Sequence, residues 1–450
     1  MTTYWCELAW LGDPAGAVAR NVAITVVGDR ITTVTADVTT AVPGAHRLAG
    51  LTLPGMANAH SHAFHRALRG RTHGEIGSFW TWRDRMYELA HRLDPDTYHS
   101  LATATFAEMV LAGFTCVGEF HYLHHDLKGK PYADPNAMGQ AILDAAATAG
   151  IRLTLLDTCY LQAGMAVARK PQRLSPTQRR FSDGDAEAWA ARVDELQASE
   201  TALIGAAIHS VRSVDPPSMS LIAAWAEGRS APLHAHVSEQ QVENEQCQAV
   251  SGFTPTELLA RHDVLGQRFT AVHATHVTDS DVTALASSGS MCCLCPTTER
   301  DLADGIGPTA AFREANVSMC IGTDSHAVID PFEETRAVEL DERLLSMLRG
   351  THRPAELLTM AAAAGYRSLG WHDGGRIAVG ALADLTTIAL TSPRLAGTDP
   401  EAAAASVLFA GAAADVHHVV VGGRVIVADG VHGTVDVAAE LDRSIRGVWA

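Results

Sequence analysis

Short apolar runs alternate with stretches of helical periodicity through the middle of the chain, and each run breaks off at polar residues. The runs end near His62, Phe120, Leu156, His209, His236, His273, Cys295 and Gly322. A strand followed by a helical pattern, repeated in this way, predicts βα units and a parallel sheet. Eight repeats predict an α/β fold closed into a TIM-like (β/α)8 barrel. Helix boundaries agree: Asp94-Pro95 supplies a cap and a proline at the first helical position, ahead of the periodic Leu101, Thr105, Ala107 and Met109. Further helices are expected from Pro331 to Leu348 and in the alanine-rich stretch from Glu401 to Ala414.

The two ends follow a different pattern. Arg20 to Ile31 reads as two short strands joined at Gly28-Asp29, and Val419 to Val427 as a hairpin turning at Gly422-Gly423, preceded by a strand-like Ala383 to Ile388. The ends are therefore expected to form one small β-sandwich, from residues 1–50 and 375–450, with the barrel of residues 51–374 inserted between them.

Composition narrows the partners. A formal net charge of -17 over 450 residues argues against nucleic acid or an anionic membrane, since both demand a broad basic face. A small anionic substrate held by a few local arginines stays open. The first residues lack the basic and apolar regions of a signal peptide, and no apolar run nears the roughly 20 residues of a membrane helix, so the expected location is the cytoplasm. The cysteines at 6, 116, 159, 247, 292, 293, 295 and 320 lie mostly in apolar runs and read as reduced thiols. Even Cys292-Cys293-x-Cys295 fits buried thiols better than a soft-metal site.

Candidate chemistry gathers at the strand ends, where barrels of this type carry their active sites. The first run ends in His60-x-His62, whose spacing on a strand would aim both rings the same way, toward one metal ion. His234-Ala235-His236-Val237-Ser238-Glu239 closes the fifth run, His273-Ala274-Thr275-His276 the sixth, and Thr323-Asp324-Ser325-His326 the eighth. Each alone has an ordinary explanation, as a core histidine, a solvated helix start or a helix cap. Their succession at neighbouring strand ends does not.

In that order, His60-x-His62, His236, His273 and Asp324 resemble the amidohydrolase superfamily, and Gly380-Ala381-Leu382-Ala383-Asp384-Leu385 resembles the return into its β-sandwich. Within it, Ser78 to Asp84 (Ser-Phe-Trp-Thr-Trp-Arg-Asp), Gly118-Glu119-Phe120-His121-Tyr122-Leu123-His124-His125 and His209-Ser210-Val211-Arg212 look like the formimidoylglutamate deiminase family. The resemblance implies one Zn2+ per subunit, with another divalent metal such as Fe2+ open, held by His60, His62, His236 and Asp324. It also implies a homodimer.

Residue chemistry fits those roles. Neutral imidazoles and a carboxylate suit zinc, which lowers the pKa of a bound water to about 7. Asp324 would take the water's proton, Glu239 would shuttle it, and His273 would polarise the attacked imino group. The substrate implied is N-formimidoyl-L-glutamate, deaminated hydrolytically to N-formyl-L-glutamate and ammonia in histidine degradation. It is a small dianion, and Arg83 and Arg212 suit its carboxylates because guanidinium pairs with them bidentately. The resemblance adds Tyr122 and His209 to those contacts. Where better-known members carry Gln shortly after the His-x-His pair, this chain has His65, expected beside the substrate. Trp80 and Trp82 read as packing aromatics, and only adjacency recommends His124, His125, His276 and His326. Two other readings stay open, namely an amidohydrolase deaminase acting on a purine or pyrimidine-like base and a barrel that binds metal or ligand without catalysis. A cytidine-deaminase zinc motif is absent.

Overall fold

The described residues of the chain build two eight-stranded sheets. A computed structural model describes all residues except 16, 39–41, 75, 76, 78 and 166–171, so Ser78 lies outside the described residues. Four strands come first: β1 (Thr2–Ala9), β2 (Ala19–Val27), β3 (Arg30–Thr35) and β4 (His46–Pro54). Eight parallel strands follow as β5 (Met56–Ser61), β6 (Phe114–His121), β7 (Arg152–Cys159), β8 (Ala202–Ser210), β9 (Leu233–Val237), β10 (Phe269–His273), β11 (Met291–Leu294) and β12 (Ser318–Ile321). The chain then returns through β13 (Leu385–Ile388), β14 (Val416–Val421), β15 (Arg424–Ala428) and β16 (Val431–His432). The expected barrel of eight βα units and the second sheet drawn from both ends are both present.

Strands β5 to β12 lie side by side in chain order. Every residue of β6 and β7 is buried, as befits strands covered on both faces. The ring comes together between the ends of β5 and β12, where the Thr323 and Asp324 amides donate to the His60 carbonyl at 3.1 and 3.0 Å and the His62 amide donates to the Asp324 carbonyl at 3.2 Å. Gly322 makes this approach feasible, because a Cβ there would lie 2.7 Å from His60 Cβ and 2.8 Å from its carbonyl oxygen. The first and last barrel strands are thus locked at the residues singled out for metal chemistry.

In the other sheet the spatial order is β16-β15-β14-β13-β4-β1-β2-β3. The hairpins turning at Gly28-Asp29 and Gly422-Gly423 form as expected, whereas β1 pairs in parallel with β4 and β4 pairs with β13, linking chain start to chain end. Asp384, from the sandwich-return motif, ties the sheets together. Its carboxylate accepts from Arg152 Nε at 2.7 Å, the Tyr366 hydroxyl at 2.8 Å and the Gly422 amide at 2.6 Å.

Helix Pro95–Ala112 begins with the expected cap, in which Asp94 accepts from the Thr97 amide and Thr97 reaches back to the Asp94 amide. The last helix, Val437–Trp449, docks onto the barrel, with Trp449 Nε1 donating to the Ala67 carbonyl at 2.9 Å. Among the described residues no helix is long and apolar enough to cross a membrane.

Candidate active site and metal centre

His60, His62, His236 and Asp324 converge at the C-terminal end of the barrel, with one donor atom from each within 4.8 Å of the others. His60 lies on β5 and His236 on β9. The period-two reading of His-x-His holds only in part, because β5 stops at Ser61. His62 is aimed instead by its own backbone (φ -125°, ψ 87°), by the bond from its amide to Asp324, and by its ring.

That ring fixes its own tautomer. His62 Nδ1 lies 2.9 Å from the Phe120 carbonyl and His236 Nδ1 lies 2.8 Å from the His209 carbonyl. A carbonyl can only accept, so both Nδ1 atoms carry the proton and both Nε2 atoms present a lone pair. These point at the same place: His60 Nε2 is 3.2 Å from His236 Nε2, and Asp324 Oδ1 is 3.3 Å from the Nε2 atoms of both His60 and His62. Burial pushes His60 down to about 3 and lowers His62 and His236 as well, so the rings stay neutral near pH 7. Burial alone would raise Asp324, but its contacts with His60, His62 and His273 override it and hold the carboxylate well below the usual range. Lone pairs facing one another around a carboxylate suit a divalent cation with affinity for nitrogen. Imidazoles that donate their other N–H to backbone carbonyls are the customary arrangement around such an ion.

Glu239 and His273 sit beside this group. His273 Nε2 is 3.8 Å from both Glu239 Oε1 and Asp324 Oδ2, while its Nδ1 faces Glu299 Oε1 at 3.4 Å. Burial would lower His273, yet the surrounding carboxylates Glu239, Glu299 and Asp324 push it up to about 10. Burial raises Glu239, against the pull of His273 and Arg212. The backbone here is bent into the left-handed region at Ser238, His273, Ala274, Asp324 and His326, none of them glycine. Such strain is held only where packing over-determines it, and it gathers at functional sites.

A cavity of about 250 Å³ opens onto this centre, lined by His62, His65, Arg83, Tyr122, His209, Arg212, His236, Glu239 and Asp324 among others. Every substrate contact anticipated from the sequence faces it. His65 Nε2 bonds the Tyr122 hydroxyl at 2.9 Å, and the His209 ring packs edge-on against Tyr160 with centroids 4.6 Å apart. Arg83, on helix Phe79–Ala90, lies over the Trp80 ring at 4.4 Å. Arg212 is buried between two acids, its Nη2 3.4 Å from Glu239 Oε2 and its Nε 3.6 Å from Glu243 Oε1.

Several wall residues escaped the sequence reading. Trp80 and Trp82 line the cavity as well as packing, as do Tyr160 and Phe181. Glu243 receives the Glu239 amide at 3.2 Å, and its spacing of four from Glu239 was the available signal. Glu299, which orients His273 and also accepts from the Cys295 amide at 2.8 Å, had no local marker. Of the histidines recommended by adjacency alone, His326 supports the centre by bonding Ser61 Oγ at 3.0 Å. His124 bonds the Thr158 carbonyl, His125 pairs with Asp183 and His276 bonds the Asp304 carbonyl. All eight cysteines are buried and free.

Comparison with known proteins agrees with this geometry. Residues 51–426 match the amidohydrolase family. The chain is 40% identical over 402 residues to the formimidoylglutamate deiminase of Pseudomonas aeruginosa, covering 86% of this chain and 87% of that one. It is 28% identical over 403 residues to the 8-oxoguanine deaminase of the same organism, with 87% and 85% covered. Among solved structures, an amidohydrolase from Brucella melitensis superposes with a TM-score of 0.91 at 33% identity, each chain covered in full. The chain belongs to the amidohydrolase family.

Proposed function

We propose that this hydrolase of C–N bonds acts on N-formimidoyl-L-glutamate, releasing ammonia and N-formyl-L-glutamate. The observation that carries the reading is the pairing, in one cavity, of a nitrogen-rich metal centre with Arg83 and Arg212, in a chain otherwise strongly acidic. A substrate with two carboxylates needs such local neutralisation, and a neutral base does not. The likeness to the Pseudomonas deiminase supports the same substrate.

His60, His62, His236 and Asp324 would hold the metal, and their three imidazoles and one carboxylate favour zinc. When bound, zinc acidifies water to a pKa of about 7 and acts as a Lewis acid. Asp324, kept ionised by its histidines, accepts a proton from the attacking water. Glu239, whose affinity for a proton is raised by burial, carries that proton to the terminal nitrogen. The water oxygen bonds to the formimidoyl carbon as the C=N double bond opens; the hydroxyl proton of that adduct follows the first to the same nitrogen by way of Glu239, and the C–N bond breaks as the carbonyl forms, so that the nitrogen leaves as ammonia. His273, fixed on one side by Glu299, directs its other nitrogen between Glu239 and Asp324 and orients the group under attack. The aromatic wall around the cavity excludes bulk water and strengthens each charge contact.

Incubating the zinc-loaded enzyme with N-formimidoyl-L-glutamate and identifying the products tests this reading. Ammonia with N-formylglutamate is expected. Formamide with glutamate would mean cleavage of the other C–N bond, and turnover of purine or pyrimidine bases without turnover of the amidine would replace the substrate assignment.

A further inference from the structure

Among the described residues, three groups of potential metal donors lie outside the four-residue centre. One, His273 with Cys295 and Glu299, belongs to the active site. Another, His121 with His124 and Asp157, is already neutralised, because Arg192 spans both Asp157 oxygens at 2.8 and 3.0 Å. The third lies on the end sheet, with His417 and His418 on β14 and Asp429 in the turn after β15.

Neighbouring residues of a regular strand point to opposite faces, so His417 and His418 should not meet. They do meet because β14 carries a bulge: Thr387 pairs with His418 and the next residue, Ile388, pairs with Val416, leaving His417 as the extra residue. The bulge brings His417 Nδ1 to 3.1 Å from His418 Nε2. Asp429, in a left-handed conformation at φ 53°, places Oδ1 3.6 Å from His417 Nε2 and 3.9 Å from His418 Nε2. The turn is held over the bulge by the Gly430 amide, which donates to the His417 carbonyl at 2.9 Å. Two imidazoles and a carboxylate thus share a solvent-facing corner whose backbone is already set.

We propose that His417, His418 and Asp429 form a second divalent metal site, separate from the active site and selective for zinc, copper or nickel. Imidazole donors suit these ions, whereas calcium and magnesium require oxygen cages. Three protein donors leave coordination places for water. The bound ion joins the bulge of β14 to the turn after β15 and pins the outer hairpin.

The test uses the full-length enzyme already carrying its active-site metal, dialysed against rising Zn2+, with bound metal counted by mass spectrometry. Wild type is expected to take up one further, saturable equivalent per chain that excess Ca2+ does not displace. His418→Ala and Asp429→Asn should each lose that equivalent while keeping the first and full turnover. Asn tolerates the left-handed conformation at 429, so this variant removes only the charge. With Cu2+ at the second site, electron paramagnetic resonance should show two coupled nitrogens in wild type, and that signal should be absent from His418→Ala. A wild-type chain that saturates at its first equivalent, or a second equivalent that survives in both variants, overturns the proposal.

Discussion

Glu119 accepts a 2.6 Å hydrogen bond from the hydroxyl of Ser61, the residue between His60 and His62. Its other oxygen accepts from the Ala63 amide at 2.7 Å, so one buried carboxylate on β6 grips the chain on both sides of His62. Ser61 also meets His326, from the loop that carries Asp324. Removing this grip leaves the ligands in place but free to shift. Glu119→Ala is expected to weaken metal binding by roughly 10- to 100-fold, the usual range for groups that orient ligands, with Glu119→Gln retaining part of the affinity. Competition with a chromophoric chelator measures it, and an unchanged affinity in the alanine variant would show that the strand end holds His62 without help.

Arg83 and Arg212 face the same cavity with different neighbours, so their losses should differ in kind. Arg83 stacks on Trp80, and Arg83→Ala is expected to raise KM by about 10- to 100-fold, the value of hydrogen bonds to a charged group, with kcat little changed. Arg212 also compensates Glu239 and Glu243. Its removal leaves those acids less balanced, raises the proton affinity of Glu239 further and should lower kcat as well as raise KM. Steady-state kinetics with N-formimidoyl-L-glutamate separates the two patterns; an Arg212→Ala enzyme altered only in KM would place Arg212 solely on the substrate.

The barrel was legible because strands buried on both faces read as unbroken apolar runs, and its site was legible because those runs stop at histidines and acids. Less could be read where contact depends on residues far apart. The parallel pairing of β1 with β4 and the junction of β4 with β13 leave no local signature in either partner. Trp80 and Trp82 look alike in sequence whether they fill a core or wall a cavity, and here they wall one. Glu299 acts through a ring on another strand, so nothing beside it announced the role.

His65 and Tyr122 form one unit, since the imidazole Nε2 and the phenol oxygen are 2.9 Å apart in a buried wall of the cavity. Either partner alone leaves the other's polar atom without its bond. His65→Ala and Tyr122→Phe are each expected to lower kcat/KM, and the double variant to lose less than the sum of the two, with an interaction energy within the roughly 0.5–3 kcal/mol of residues in contact. A double-mutant cycle on kcat/KM measures it. Strictly additive losses would mean that the two side chains meet the substrate independently.

Arg192 ties a buried knot whose stability should depend on acid. It bonds Asp157 through both terminal nitrogens and Asp183 at 2.9 Å through Nε, while His125 pairs with Asp183 at 3.1 Å. Burial alone would raise both acids. Arg192 and the neighbouring histidines outweigh it, so that the carboxyl groups of Asp157 and Asp183 are held below the usual range, Asp183 far below. An acid depressed in the folded state binds more protons when unfolded. Its contribution is therefore complete above the unfolded value of about 3.9 and is lost as pH falls from there toward the folded value. The urea midpoint should already decline below about pH 6.5, where the unfolded chain protonates histidines that burial keeps neutral in the fold, and drop further below about pH 5 as these acids titrate. In Asp183→Asn one of these titrations is gone, so the variant starts from a lower midpoint at pH 7 but loses less between about pH 5 and pH 3 than wild type does. Equal slopes for the two proteins over that interval would remove Asp183 from the acid response.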